Sequence, residues 1–272
     1  MKKLSKSISS IYQLTKAALK GSEEEFTTGS IKRALYLLAV PMILEMVMES
    51  LFAVVDIYFV SKVSVNAVAV VGLTESVITI IYSIAIGLTM AITAIVARRV
   101  GEKNYSRATD AAFQAILLGI LVGIGLGIPG FYFAEDTLRL MGGDDAMVNE
   151  GLGFTQIMYA GNLSIILLFL NNGIFRGAGN ATIAMISVFL ANGLNIILDP
   201  IFIFGLGPIP AYGVQGAAIA TTIGRSIGVS LQLYLLLFGS GIIRIRWKNM
   251  VLRAKTVWEM IKVSAGGIGQ FL

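Results

Sequence analysis

The chain has 272 residues, of which 56% are hydrophobic and 14% are charged, and its mean hydropathy is +0.81. Soluble domains carry about a quarter charged residues, so this composition excludes a soluble globular protein and predicts a polytopic membrane protein. Cysteine and histidine are both absent, which excludes a disulfide framework, a thiolate metal site and the side chain that most often serves as a general base.

Six apolar segments are each long enough to cross the hydrocarbon core of a bilayer, which takes about 20 helical residues. They cover residues 31–60, 66–97, 107–133, 146–175, 180–204 and 212–238. A seventh helix is predicted to begin near Thr256, and we expect the chain to end inside it. The predicted fold is therefore all-α, with a cytoplasmic N-terminal segment (1–30), a lobe of six transmembrane helices (31–240), and a cytoplasmic loop leading into helix 7 (241–272).

Lysine and arginine are distributed unevenly along the chain. If the N-terminus is inside, the inner flanks of the six segments hold 18 of the 21 basic residues, and the outer loops hold only Lys62 and Arg139. Basic residues concentrate in cytoplasmic flanks, so we expect a multi-pass protein of the plasma or inner membrane with a cytoplasmic N-terminus. The net charge of +5 thus reflects membrane orientation, and we expect no nucleic-acid partner.

The N-terminal segment has two interpretations. It contains no apolar core long enough for a signal peptide, but Ile8, Ile11, Leu14 and Ala18 recur at helical spacing among lysines. Such a helix lies on the inner leaflet in many membrane proteins. The other interpretation is a frayed tail that only follows the positive-inside bias.

Three acids interrupt the first apolar segment. Glu45, Glu49 and Asp56 all lie within residues 42–60, which are otherwise mainly apolar. An ionised Asp at the centre of a spanning helix costs about 2.5–3.5 kcal/mol on insertion scales, whereas a Leu, Ile, Phe or Val returns only about 0.3–0.6 kcal/mol. At about 100° per residue the three acids fall within about 40° of arc. They form one acidic stripe that cannot face lipid.

Other predicted helices carry polar side chains too. In the fifth segment Asn192, Asn195 and Asp199 fall within about 60° of arc. The second and sixth segments add Glu75, Thr79, Ser83, Thr221, Thr222 and Arg225. We expect these stripes to converge, because a bundle interior or a water-filled cavity is where polar groups cost least in a membrane.

Carboxylates, amides and hydroxyls suit the roles of a coupling ion site. Oxygen ligands from Asp, Asn and Thr bind hard cations, and a desolvated carboxylate can take up and release a proton. An acidic cavity also favours organic cations over anions. Asp56 and Asp199 are the leading candidates, because they lie deep in the membrane or beside a helix break.

Structural roles compete with these assignments. A lone Asn or Thr in a membrane helix often hydrogen-bonds a neighbouring helix, and this interpretation fits Thr79, Ser83 and Asn192. Glu45 lies one turn from Pro41 and could snorkel to the interface. Arg225 could neutralise an acid such as Glu75.

Two motif matches fail on context. GLGIPG (residues 125–130) has the spacing of a dinucleotide fingerprint but lies inside an apolar helix, where glycines every four residues indicate close helix packing. RGAGN (176–180) lacks the Lys-Ser/Thr of a phosphate-binding P-loop. With neither motif, and without His or Cys, we expect no enzymatic activity.

Several stretches together resemble the multidrug and toxic compound extrusion (MATE) transporters. The resemblance runs from about Thr28 onwards, and its markers are TTGSIKRALYLLAVPMILEM, VVDIYFVSKVSVNAVAVVGL, RRVGEKNYSRA, FRGAGN, NIILDPIFIFGLG and GVQGAAIATTIGR. They occur in the family's order and on the corresponding helices. A faint likeness between residues 254–272 and 31–47 also fits a transporter built from two similar six-helix halves.

The resemblance implies twelve helices in two lobes and an alternating-access antiporter, of which this chain is the N-terminal half. It implies the export of amphipathic or cationic drugs and toxic compounds in exchange for Na⁺ or H⁺, with no other cofactor. The family's N-lobe cation site matches Asp56, Asn195, Asp199 and Thr221, where Na⁺ could bind. We place Glu45, Glu49, Glu75 and Arg225 in the substrate cavity.

Two positions depart from the family pattern. The position of Glu49 is commonly an amide in relatives, and Glu45 is not a usual feature, so the additional acids could strengthen cation preference or add a protonatable site. The neutral oxygens beside the carboxylates favour Na⁺ over H⁺. We expect the partners to be the bilayer, small substrates and the missing C-lobe, and the full-length protein to be a monomer. The rival function, a flippase or exporter of lipid-linked or polysaccharide substrates, would need a more basic cavity.

Overall fold

The computed structural model of the protein describes residues 12–21, 30–246 and 250–271. Over these ranges the regular structure consists of helices and one isolated bridge between Leu206 and Ile209. The main helices are α1 (Ile31–Val60), α2 (Val65–Gly101), α3 (Tyr105–Tyr132), α4 (Ala134–Leu140), α5 (Asp145–Ala160), α6 (Asn162–Gly177), α7 (Ala181–Phe204), α8 (Val214–Phe238) and α9 (Ala254–Phe271). The all-α prediction is confirmed.

The six predicted membrane segments are confirmed. Within the described ranges six helical spans are long and apolar enough to cross a bilayer: α1, α2, α3, the α5–α6 pair, α7 and α8. The helix predicted near Thr256 is present as α9, which begins at Ala254 and packs against α2. The chain therefore forms a multi-pass membrane protein.

The fourth span and the loop before it differ from the prediction. The span is broken at Gly161, where α5 ends and α6 begins. The predicted outer loop over residues 135–145 contains the short helix α4. On this helix Arg139 pairs with Glu135 at 2.9 Å and also reaches Asp145 at 2.8 Å, so local charge pairing stabilises a turn of helix that hydropathy alone does not indicate.

Polar side chains cap the helices at the predicted joints. Ser64, Asn104, Asp144 and Asn180 precede α2, α3, α5 and α7, and each side-chain oxygen accepts a hydrogen bond from a backbone N–H three residues on. Such caps satisfy donors that the first helical turn leaves free. The capping residues in these short connections therefore set where the next helix begins.

Glycines let neighbouring spans approach closely. A Cβ at Gly123 of α3 would lie 2.8 Å from the Leu163 side chain of α6, so the small-residue packing predicted for this helix is confirmed. Between α7 and α8 the contact is tighter. A Cβ at Gly216 would lie 2.4 Å from the backbone of Phe202, and one at Gly224 would lie 2.4 Å from the carbonyl of Ala191. This close pairing positions the polar side chains of α7 against α8.

The first span is held less firmly than the others. Only 11% of its most apolar stretch is buried within the protein, against 39% to 50% for the other five spans. It packs mainly against α7 and leaves large apolar side chains such as Met46, Val47 and Val54 exposed. Pro41 lies inside the helix, where it removes one backbone hydrogen bond and permits a bend.

Part of the N-terminal segment forms a helix over residues 12–20. The hydroxyl of Thr182 donates a 2.7 Å hydrogen bond to the carbonyl of Ala18, and the Thr15 hydroxyl lies 2.7 Å from that of Tyr36. This stretch is therefore docked on the starts of α1 and α7. Ile8 and Ile11, which the amphipathic interpretation also used, lie outside the described residues.

Candidate cation site and adjoining cavity

Two neighbouring helices supply a buried polar triad. Asn195 and Asp199 lie one turn apart on α7, and Thr221 faces them from α8 across the close glycine contact. The Asn195 amide nitrogen donates to Asp199 Oδ1 at 3.1 Å and to Thr221 Oγ1 at 2.9 Å. All three residues are buried, with exposed fractions of 1%, 0% and 5% in chain order. The triad is fixed by its own hydrogen bonds in the protein interior.

Asp56 of α1 completes this group. Its carboxyl group is within hydrogen-bonding reach of the Asp199 carboxyl group. Neither group is itself a donor when ionised, and Asp56 Oδ1, Asp199 Oδ2 and Asn195 Oδ1 are buried without a hydrogen-bond donor among the described residues. The structure thus brings together the four residues of the predicted cation site.

The arrangement is chemically incomplete as it stands. Two ionised carboxylates in contact repel one another, and buried oxygens without donors are costly. A proton shared by the carboxyl groups, or a hard cation held by the free oxygens, would satisfy them. No cluster of three or more Asp, Glu, His or Cys suitable for a metal is found in the described part of the chain. Two carboxylates with neutral oxygens therefore fit a proton or a monovalent cation better than a transition metal.

An adjoining cavity of about 480 Å³ opens between α1, α2 and α8. Three acids and one base line it: Glu49, Asp56, Glu75 and Arg225. Its remaining wall is mainly apolar and aromatic, with Phe52 and Tyr82 among the lining residues. A volume between about 300 and 1,000 Å³ is usual for small-molecule sites. Asp56 lines this cavity and also contacts Asp199, so it links the cavity to the polar triad.

Arg225 is held by aromatic residues rather than by an acid. Its Nη2 donates a 2.8 Å hydrogen bond to the Tyr82 hydroxyl, and its guanidinium carbon lies 5.8 Å from the ring centres of both Tyr82 and Phe52. Within the described ranges no direct ion pair joins it to a carboxylate. Arg225 and Glu75 line the same cavity without the direct ion pair, among the described residues, that simple neutralisation would give.

Glu45 lies apart from the cavity that was predicted to include it. Its carboxylate accepts hydrogen bonds from Arg176 Nη2 at 2.5 and 2.6 Å and from Asn172 at 3.2 Å. Asn172 in turn accepts a 2.6 Å hydrogen bond from Gln232. The Glu45 side chain is buried in this network and does not snorkel to an interface. From the sequence, Arg176 is counted only among the basic flanking residues, whereas in the structure it is the counter-charge of the buried Glu45.

Two hydroxyls of α2 bond within their own helix. The hydroxyl of Thr79 donates to the carbonyl of Glu75, and that of Ser83 donates to the carbonyl of Thr79. For Thr79 the structure shows this bond in place of the bond to a neighbouring helix that the sequence suggested. Tyr82 and Phe52 were not singled out from the sequence, because aromatic side chains in a membrane segment give no signal that distinguishes a cavity wall from a lipid contact.

Comparison with known proteins places this geometry in context. The MatE family model matches residues 41–201. The FAD transporter of Shewanella oneidensis is 31% identical, over 77% of this chain and 46% of that protein. The "Probable multidrug resistance protein NorM" of Thermotoga maritima is 29% identical, over 76% of this chain and 44% of that protein. A solved transporter of the MOP superfamily from Pyrococcus furiosus Vc1 superposes with a TM-score of 0.82 at 28% identity, covering 90% of this chain and 54% of that one. The chain spans about half the length of the relatives it matches.

Proposed function

The chain belongs to the MatE family, and on that premise we propose that it forms the N-terminal lobe of a cation-coupled antiporter that exports amphipathic or cationic compounds by alternating access. The observation that carries the proposal is the close approach of Asp56 and Asp199 on the packed helices α1 and α7, with buried carboxylate oxygens that have no hydrogen-bond donor among the described residues. The second lobe would come from the C-terminal half of a longer protein that functions as a monomer.

The contact between the two carboxyl groups supplies a mechanism for coupling. A cation or proton between them holds α1 against α7, because it relieves their mutual repulsion. When the ion leaves, α1 loses this attachment, and its sparse packing and Pro41 allow it to move. Export is driven if the ion binds the outward- and inward-facing states with different affinities.

Sodium is the coupling ion we favour. A proton needs only the two carboxyl groups, whereas this site also presents the amide oxygen of Asn195, which has no donor among the described residues, and the hydroxyl oxygen of Thr221. Neutral oxygens beside carboxylates are ligands for a hard cation. In this proposal Asp56, Asn195, Asp199 and Thr221 form its oxygen shell.

The charge of the cavity favours organic cations as substrates. Glu49, Asp56 and Glu75 face a single cation, Arg225, in a chamber of about 480 Å³. The relative from Shewanella oneidensis is named for FAD, whose pyrophosphate would meet more acids than bases here. The same charge balance argues against lipid-linked pyrophosphates and so against the flippase alternative.

The proposal also orients the lobe in the membrane. Residues 31–240 form the six-helix lobe, and residues 1–30 and the basic stretch after α8 face the cytoplasm, since most of the lysines and arginines flank that side. We place the protein in the plasma or inner membrane. Residues 241–272 then contain the loop and helix that lead to the second lobe.

Efflux of a cationic dye by the full-length protein in transporter-deficient cells tests the function. We expect efflux that falls when Na⁺ is replaced by K⁺ at constant pH, and that is lost in both Asp56→Asn and Asp199→Asn. The matched control is Asp136→Asn, which changes an exposed acid on α4 and should leave efflux intact. Ion-dependent efflux that survives both substitutions would show the assignment to be wrong.

A further inference from the structure

Arg225 is a buried cation in the cavity that Asp56 also lines. The residue is 7% exposed and lies on α8 within a membrane lobe. Its Nη2 donates to Tyr82, but its Nη1 is buried without an acceptor in the described part of the chain. A buried guanidinium nitrogen without a partner is costly, so its retention needs an explanation.

Simple charge neutralisation does not explain this geometry. Where this lobe does neutralise a buried acid, the guanidinium and carboxylate are in direct contact, as Arg176 and Glu45 are at 2.5 Å. Arg225 shares a cavity with Glu49, Asp56 and Glu75 but forms no such pair with any of them. The Tyr82 hydroxyl and the rings of Tyr82 and Phe52 hold its guanidinium group in place instead.

We propose that Arg225 is the anion-binding group of a substrate site that accepts amphipathic zwitterions. The free Nη1 binds a carboxylate of the substrate, Glu49 and Glu75 bind its cationic group, and Phe52 packs against the apolar scaffold between the two charges. Guanidinium groups pair with carboxylates through strong, oriented hydrogen bonds. This inference rests on the proposed transport function and narrows its substrate class.

The charge balance of the cavity separates three classes of small molecule. A pure anion would meet three acids against one Arg. A pure cation would leave the Arg225 charge without a partner and close to a like charge. A zwitterion places its anionic group at Arg225 and its cationic group beside the acids, so a cationic compound should bind better when a carboxylate is added at the end that reaches Arg225.

A matched pair of dyes tests the inference. A rhodamine ethyl ester is a monocation and its free acid is a zwitterion at neutral pH, while the chromophore is the same. Fluorescence anisotropy gives the affinity of each dye for the purified full-length protein. We expect the wild type to prefer the acid. Loss of a charge-assisted hydrogen bond lowers affinity by about tenfold or more. We therefore expect Arg225→Gln to bind the acid with an affinity lower by this factor and to bind the ester with unchanged affinity.

Two further variants separate recognition from folding. Arg225→Lys keeps the positive charge and should restore part of the preference for the acid. Tyr82→Phe leaves the charge but removes the hydroxyl that orients it, and should also reduce the preference even if Arg225→Gln fails to fold. Arg139→Gln, which removes an exposed cation of α4, is the control and should change neither affinity.

The outcomes distinguish this inference from the proposed function. The role of Arg225 would be overturned by either of two results for Arg225→Gln and Tyr82→Phe. One is an equal loss of affinity for both dyes, and the other is an unchanged preference for the acid. The same dyes are then loaded into vesicles containing the full-length protein. An Arg225-dependent preference in binding without any ion-driven transport would support the site and refute the antiporter.

Discussion

The ion pair between Glu45 and Arg176 offers a test of how α1 is attached to the rest of the lobe. Glu45 lies on α1 and Arg176 at the end of α6, and their side chains are 11% and 21% exposed. Substituting either residue by Gln leaves the other with a buried charge and no counter-charge. Substituting both removes the two charges together.

The expected magnitudes follow from burial. Removing one partner of a buried ion pair costs about 3–5 kcal/mol. For Arg176→Gln we expect about 3 kcal/mol, because the Glu45 carboxylate stays almost fully buried with only the Asn172 amide as a donor. For Glu45→Gln we expect about 2 kcal/mol, because Arg176 is more exposed and can reach water. The double variant should cost less than either single variant.

The assay is SDS-induced unfolding of the purified full-length protein in mixed micelles, followed by far-UV circular dichroism. With these single costs and a double cost below about 2 kcal/mol, the double-mutant cycle should give a coupling energy of about 3 kcal/mol or more between the two sites. The control cycle uses Arg98 and Glu102, an exposed pair at the C-terminal end of α2, where we expect no more than about 0.5 kcal/mol. If the two buried substitutions are additive within about 0.5 kcal/mol, the ion pair does not attach α1 and the reasoning fails.

Three further predictions concern the site and the orientation of the lobe. Gly224→Ala should disrupt the contact of α7 with α8 and weaken ion-dependent transport, because the added Cβ would lie 2.4 Å from a backbone oxygen. The control Gly125→Ala adds a Cβ where no other atom lies nearby, and it should change neither folding nor efflux. Thr221→Val removes a site oxygen without changing shape, and should raise the Na⁺ concentration needed for half-maximal efflux by about tenfold; an unchanged value would exclude Thr221 from the site. Because this chain has no cysteine, a single Cys at Lys62 should react with an impermeant maleimide from outside intact cells and one at Glu102 should not, and the reverse pattern would invert the topology.

Hydropathy was enough to predict the six spans, because a bilayer imposes a fixed length of apolar helix on any sequence that crosses it. It did not predict the break at Gly161 or the helix α4. The break falls inside an apolar run, where a single glycine is tolerated in a membrane helix. The helix α4 carries exposed ion pairs of Arg139, which a hydropathy profile does not register.

The cation site was predictable because its residues repeat at helical spacing on α1 and α7, and polar stripes in a membrane must meet. The same reasoning misplaced Glu45. Angular position puts it on the same face as Asp56, but the two are eleven residues apart, which is about 16 Å along the helix. Over that distance one face of α1 contacts different neighbours. Asp56 therefore meets Asp199, whereas Glu45 meets Arg176 and Asn172.

The ions released when a substrate binds provide the most direct test that Asp56 and Asp199 hold one coupling ion between them. Purified full-length protein in a weakly buffered solution would be saturated with a cationic substrate while a Na⁺-selective electrode and a pH indicator record the release. We predict release of Na⁺ from the wild type, and no release from Asp56→Asn or Asp199→Asn at equal occupancy by the substrate. Release of H⁺ alone would keep the site and change the ion, whereas undiminished release from both variants would contradict a shared site.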